Sequence, residues 1–89
     1  MGVAMEHREE WKPVLEAEVK RWRARAFEQL IVGLQEERVY EIEFGGRTYQ
    51  VEVEILENTD SYIRVVVSVD DGSVPASFRP LSESFIRNK

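Results

Sequence analysis

The most constraining feature of this 89-residue sequence is a change in the spacing of its apolar residues near residue 38. Before that point apolar residues recur every three or four positions, which is the spacing of one face of an α-helix. After it they alternate with polar residues, as in a β-strand with one buried face. Since a chain of this length has room for one hydrophobic core, we expect both kinds of element to share it.

The helical spacing extends from Glu6 to Glu36. Its apolar stripe consists of Trp11, Leu15, Val19, Trp22, Ala26, Phe27, Leu30, Ile31, Gly33 and Leu34. Charged residues lie between these positions, and oppositely charged pairs such as Glu18 and Arg21 should compensate each other's charge. Proline lacks a backbone N–H, so Pro13 should either begin the main helix or kink a longer one. The most stable part of the helix is predicted from Pro13 to about residue 34.

The alternating pattern predicts three strands. Their inward rows are Tyr40, Ile42 and Phe44, then Tyr49, Val51, Val53 and Ile55, then Ile63, Val65, Val67 and Val69. Gly45 and Gly46 separate the first two, and a Gly-Gly pair provides the positive φ of a tight hairpin turn. Consecutive strands with short connections usually pair, so we expect a three-stranded antiparallel meander.

Residues 73–89 are the hardest part of the chain to interpret. Phe78, Leu81 and Phe85 are at helical spacing, whereas two prolines limit any helix to a short one. We expect a docked segment with a helical turn near residues 80–86.

The predicted fold is therefore one α+β domain covering residues 1–89. In it a long N-terminal amphipathic helix packs on the meander, followed by a C-terminal docked segment or short helix. The absence of cysteine excludes disulfides and thiolate metal sites and fits a reducing compartment, so we expect a cytoplasmic location. No apolar run is long enough for a membrane span or a signal peptide, and no membrane partner is expected.

No group of residues indicates catalysis. His7 is the only histidine, and one imidazole with flanking carboxylates falls short of the three or four convergent ligands of a zinc site. A second candidate is the set of carboxylates Glu41, Glu43, Glu52 and Glu54. Two such acids can share the proton transfers of hydrolysis, but the same pattern is that of the solvated face of a hairpin. We predict no enzyme activity, no cofactor and no metal site.

Nucleic-acid binding is a disfavoured alternative. A helix, three strands and a helix is also the element order of double-stranded RNA-binding domains. The one basic cluster contains Lys20, Arg21, Arg23 and Arg25. However, the net charge is −5, and residues 39–60 contain one basic and six acidic side chains. Because such a surface repels phosphate, we attribute the shared order to coincidence.

Two features predict contact with another protein or with a second copy. Trp11 precedes Pro13, where the helix could leave the sheet, and large aromatics often anchor interfaces, although core packing would also explain it. The third strand would be a sheet edge, and only Arg64 opposes edge pairing along residues 62–69. A homodimer through the third strand would form either by edge pairing or by burial of Tyr62 and Val66 of the two copies against each other. The predicted interface residues are Trp11, Tyr62, Arg64 and Val66.

The leading functional hypothesis is a small protein-interaction or regulatory domain without catalytic activity. The alternative is a domain that binds a small molecule between helix and sheet. Its candidate lining residues are Trp22, Phe27, Tyr40 and Tyr49. A cavity beneath the helix would favour the second hypothesis.

Overall fold

The computed structural model describes residues 3–72 and 81–89, with side chains described from residue 11 onward. Its elements are helices α1 (Val3–Arg23) and α2 (Phe27–Gly33) and strands β1 (Arg38–Phe44), β2 (Arg47–Asn58), β3 (Tyr62–Asp70) and β4 (Leu81–Asn88). The strands form one antiparallel sheet in the order β1-β2-β3-β4. The α+β class is confirmed, with four strands in place of three.

Helix α1 continues through Pro13 instead of beginning there. A proline inside a helix removes one intrahelical hydrogen bond and costs on the order of 3 kcal/mol. Burial of the apolar stripe around it offsets this cost. The stripe members in α1 are each at most 4% exposed, and they are Trp11, Leu15, Val19 and Trp22; Val14, outside the predicted stripe, is buried as well.

The prediction of one helix reaching residue 34 is wrong, because the helix is interrupted after Arg23. Ala26 has an extended backbone (φ −70°, ψ 158°) and immediately precedes α2. Its N–H donates to Gln29 Oε1 over 3.1 Å, which satisfies one donor near the start of α2. On the other side of the break, Arg87 of β4 donates a hydrogen bond to the Arg23 carbonyl. The interruption is therefore adjacent to a hydrogen bond from the sheet.

The hairpin between β1 and β2 has the predicted Gly-Gly turn. Gly45 and Gly46 have φ values of 61° and 80°, which side chains with a Cβ rarely adopt. A two-residue turn fixes the register of its strands, and the pairing ends with Arg38 opposite Val53. Since β1 has 7 residues and β2 has 12, the second strand continues beyond its partner.

Strand β4 corrects the prediction of a docked segment or helical turn near residues 80–86. It pairs with β3 along its whole length. The rest of that predicted segment, residues 73–80, lies outside the described residues. With β4 present, the element order is not that of double-stranded RNA-binding domains, and β3 lies inside the sheet instead of at its edge. Two copies therefore cannot pair through the backbone of β3.

The core lies between the helices and one face of the sheet. Helix α1 packs on β3 and β4. Helix α2 crosses the end of the sheet: Phe27, at its start, lies beside Lys89, and Leu34, just after its end, lies beside β2. Trp11 is 0% exposed, so it belongs to this core and offers no surface to a partner. The buried inward row of the sheet consists of Tyr49, Val51, Val53, Ile63, Val65, Val67, Val69 and Phe85.

Candidate functional site

The interface residues predicted on the third strand lie on the sheet face that is turned away from the helices. Tyr62, Arg64 and Val66 alternate with the buried row of β3 and are partly exposed. Arg64 Nε donates to Glu57 Oε1 over 2.7 Å. By register, the same face carries the carboxylates Glu41, Glu43, Glu52, Glu54, Glu57 and Asp70. It is an acidic surface, which we call the open face.

Neither depression bordered by the described residues contains more than one of the four predicted pocket residues. Trp22 and Tyr49 are 3% and 2% exposed, and Phe27 and Tyr40 pack against the core. Tyr49 also borders a shallow depression of about 260 Å³ beside the hairpin turn. These four side chains therefore belong to the core or pack against it.

A partly buried polar network at Trp22 and Tyr40 joins α1 to β1. The Tyr40 hydroxyl donates to Glu18 Oε1 over 2.6 Å and accepts a hydrogen bond from Trp22 Nε1 over 2.8 Å. Arg21 Nη1 donates to Glu18 Oε2 over 3.3 Å, as the predicted pairing of these two residues requires. Burial, and then the hydrogen bond to Glu18, raise the pKa of Tyr40 to about 12. With its donors and acceptors matched, the network positions the helix on the sheet.

Glu18 was not predicted to be buried, although it is only 3% exposed. The signal was present, because Glu18 lies seven residues after Trp11 and four before Trp22. At those intervals a helical residue shares the face of both tryptophans. A carboxylate inside an apolar stripe indicates a buried partner, and here that partner is the hydroxyl of Tyr40.

An open groove of about 410 Å³ lies beside the part of β2 that extends beyond β1. We call it the α2–β2 groove. Its floor is apolar, formed by Ile31, Leu34 and Ile55, and its rim is polar. The rim residues are Gln35, Glu37, Glu54 and Asn58. Glu54 was considered only among the hairpin carboxylates, and none of these residues was predicted to line a binding site.

The backbone of β2 faces this groove without a neighbouring strand. In a two-residue hairpin the pair flanking the turn is hydrogen-bonded, and hydrogen-bonded pairs then alternate along the strands. Counted from Arg47, the alternation continues past the last residue of β2 that pairs with β1. The peptide N–H and C=O of Ile55 therefore point to the side on which β1 lies, but no residue of β1 pairs with Ile55. Among the described residues, no backbone hydrogen bond from another segment reaches Glu54–Asn58 on that side.

Two glutamates explain why β1 does not cover the end of β2. Continued pairing in register would place Glu37 opposite Glu54 and Glu36 opposite Ile55. Because Ile55 faces the core, Glu36 would then bring a carboxylate into the apolar floor without a partner. Carboxylates are already crowded here, since burial and then the charge of Glu37 raise the pKa of Glu52. These charges leave the end of β2 uncovered.

Within the described residues, no three His, Cys, Asp or Glu side chains form a group that could hold a metal ion. The side chain of His7 lies outside that part of the chain. Neither α1 nor α2, as far as each is described, is long and apolar enough to cross a membrane. Comparison of the chain with protein-family models, curated proteins and solved structures found no match.

Proposed function

We propose that this chain is a small protein-interaction domain without catalytic activity, and that the α2–β2 groove is its binding site. The observation that carries the proposal is the unpaired end of β2, Glu54–Asn58, next to an apolar floor. An uncovered strand offers main-chain hydrogen bonds to an extended polypeptide, and a neighbouring pocket accepts its side chains. The end of β2 combines both properties.

Small-molecule binding is the second candidate, and the groove volume of about 410 Å³ supports it. Pockets for small ligands are commonly about 300–1,000 Å³, but they enclose most of the ligand. The α2–β2 groove is open to solvent and continues along a strand edge, which suits a chain that extends beyond it. We therefore prefer a polypeptide partner, and a cytoplasmic location, expected from the lack of cysteine, is part of the same proposal.

Selection from a random peptide library displayed on phage tests this function. The affinities of selected peptides would be measured by calorimetry for the native chain and for two variants. Asn58→Trp fills the groove from an exposed rim position, and Gln50→Trp places the same side chain on the open face of the same strand. Circular dichroism would confirm that both variants fold.

We expect Asn58→Trp to weaken the binding of selected peptides about tenfold or more, and Gln50→Trp to leave it unchanged. A library that yields no peptide ligand would contradict the proposal. Peptides that bind Asn58→Trp as tightly as the native chain would also overturn it, because their site would lie elsewhere.

A further inference from the structure

Building on the proposed function, we infer that the partner of the α2–β2 groove is an extended basic peptide that adds to β2 as an antiparallel strand. Its alternate side chains would be apolar and would enter the floor of the groove. The side chains between them would be lysine or arginine and would face the rim glutamates. The backbone of Ile55, the two sides of the groove and the charges at its rim determine the conformation, the side-chain pattern and the charge of this partner.

The backbone sets the conformation of the partner. Since Ile55 directs one N–H and one C=O to the open side of β2, it can bond to one residue of an added strand, as in any hydrogen-bonded antiparallel pair. The uncovered stretch Glu54–Asn58 spans five residues, at most roughly 17 Å of extended chain, and its pairing with β3 shifts by one residue between Ile55 and Glu57. A partner segment of about five or six residues therefore fits beside it.

The two sides of the groove set the side-chain pattern. Successive side chains of a strand point to opposite faces of the sheet, and directly paired residues point to the same face. A partner residue opposite Ile55 therefore faces the floor formed with Ile31 and Leu34. Its neighbours along the peptide face the opposite side, which carries Glu54. The pattern that fits is apolar alternating with basic.

The charges at the rim determine whether a positively or a negatively charged partner fits the groove. Among the described residues, the ion pairs join Arg21 to Glu18, Arg47 to Asp71 and Arg64 to Glu57. None of these ion pairs includes Glu37, which borders the groove, or Glu52 and Glu54, the open-face carboxylates nearest to it. Lysine or arginine side chains of a partner would compensate these carboxylates, whereas an acidic peptide would add to their repulsion.

The same charges oppose a second copy of the chain as the occupant. Two β2 ends paired with Ile55 opposite its copy would place the Glu54 residues of both copies on the same face as diagonal neighbours. Like charges this close across a strand pair repel each other and weaken the pairing. The structure therefore favours a partner with a different sequence over self-association at this site.

Four synthetic peptides test the inference. The first alternates valine with lysine over eight residues, and the second has glutamate in place of each lysine. The other two keep the first sequence but carry N-methyl groups, on the valines in one and on the lysines in the other. Only the valine N–H groups would point to β2, because valine is the residue opposite Ile55.

We expect the lysine peptide to bind about tenfold more tightly than the glutamate peptide, by more at low salt than at high salt. Methylation of the valines should weaken binding about tenfold, and methylation of the lysines about twofold or less. Glu37→Gln and Glu54→Gln should each weaken binding roughly threefold. Glu41→Gln and Glu43→Gln, with the same charge change near the hairpin turn, should not.

Equal affinity for the lysine and glutamate peptides, or equal effects of the two methylations, would overturn the inference. So would a dimer of the free chain that Asn58→Trp dissociates, because the occupant would then be a second copy. Library peptides that depend on the groove but are acidic would leave the proposed function intact and refute the basic partner. If no library peptide depends on the groove, both fail.

Discussion

At the scale of single residues, the hydroxyl group of Tyr40 connects β1 to two side chains of α1. Tyr40→Phe would remove the hydrogen-bond acceptor of the Trp22 N–H. It would also remove one of the two hydrogen bonds that Glu18 accepts in this network, leaving the one from Arg21. Each buried polar group that loses its partner costs about 1–3 kcal/mol. We expect the variant to lower the free energy of unfolding by about 2 kcal/mol, measured by urea denaturation at neutral pH.

Tyr62→Phe is the matched control for this prediction. The Tyr62 hydroxyl lies on the open face, 3.5 Å from Glu57 Oε1, at the limit of a hydrogen bond. Its removal should change the free energy of unfolding by less than about 0.5 kcal/mol. Equal effects of the two substitutions would show that the network around Tyr40 adds no stability beyond that of an exposed hydroxyl.

The raised pKa of Tyr40 predicts a loss of stability in alkali. Its pKa is about 12 in the folded chain, against 10.0 for an ordinary tyrosine. The unfolded chain therefore releases this proton at lower pH than the folded chain, and ionisation favours unfolding. The contribution of Tyr40 is complete below pH 10 and is lost as the pH rises from 10 to about 12.

Urea denaturation between about pH 9 and pH 12, together with phenolate absorbance, would measure this loss. In Tyr40→Phe the decline of stability over this range should be shallower, and the most alkaline phenolate transition should be absent. The same pH dependence in both proteins would assign the decline to other groups.

At the scale of elements, the start of α2 can be improved. Ala26 is exposed at the N-cap position, where a methyl group cannot accept the free N–H groups of the first turn. Ala26→Asp would supply that acceptor and a negative charge near the helix N-terminus, and with Gln29 it would complete a capping box. We expect a gain of about 0.5–1 kcal/mol in the free energy of unfolding, measured by urea denaturation.

Ala24→Asp is the control for this gain. Ala24 is also exposed, but it follows the last turn of α1, where a negative charge is unfavourable. This variant should be as stable as the native chain or slightly less stable. If both aspartates stabilised equally, the effect would come from net charge or from the unfolded state instead of from capping.

The first three strands were predictable because period-two alternation has no helical equivalent. Strand β4 was not, since Leu81 and Phe85 are four residues apart, an interval that fits both a helix and one face of a strand. Glu83 adds to the ambiguity, because it lies opposite Val67 on the helix-facing side and breaks the alternation. An edge strand can tolerate this charge where an interior strand could not.

The interruption between α1 and α2 has no signal in the local sequence. Ala24, Arg25 and Ala26 all favour a helix, and no glycine or proline lies among them. The break depends on tertiary contacts, such as the hydrogen bond from Arg87 to the Arg23 carbonyl. Residues 64 positions apart make this bond, so helix propensity alone cannot reveal it.

The unpaired end of β2 could have been deduced from the sequence. With a two-residue turn at Gly45 and Gly46, the register places residue 36 opposite Ile55. Glu36 was assigned to the end of the helix, so Ile55 had no available partner. The floor of the α2–β2 groove was not deducible, because Ile31 reaches it only through the break before α2.

At the scale of the whole molecule, we expect a monomer in place of the homodimer predicted through the third strand. Pairing of two copies through the edge of this strand required an exposed β3 edge, whereas β3 lies between β2 and β4. The open face also carries an excess of carboxylates, which repel a second copy. Light scattering after size-exclusion chromatography should give a mass near 10.4 kDa at micromolar concentration. Twice that mass would contradict this expectation and favour contact between two open faces.

The packing of α1 on β3 and β4 also determines the order in which the chain can fold. The hairpin of β1 and β2 brings together neighbours in sequence and can close early, but α1 has to meet strands that begin at residue 62. Domains with such non-local contacts fold more slowly than helical bundles. Until those strands form, Trp11 and Trp22 remain in water, and the chain is then most vulnerable to aggregation.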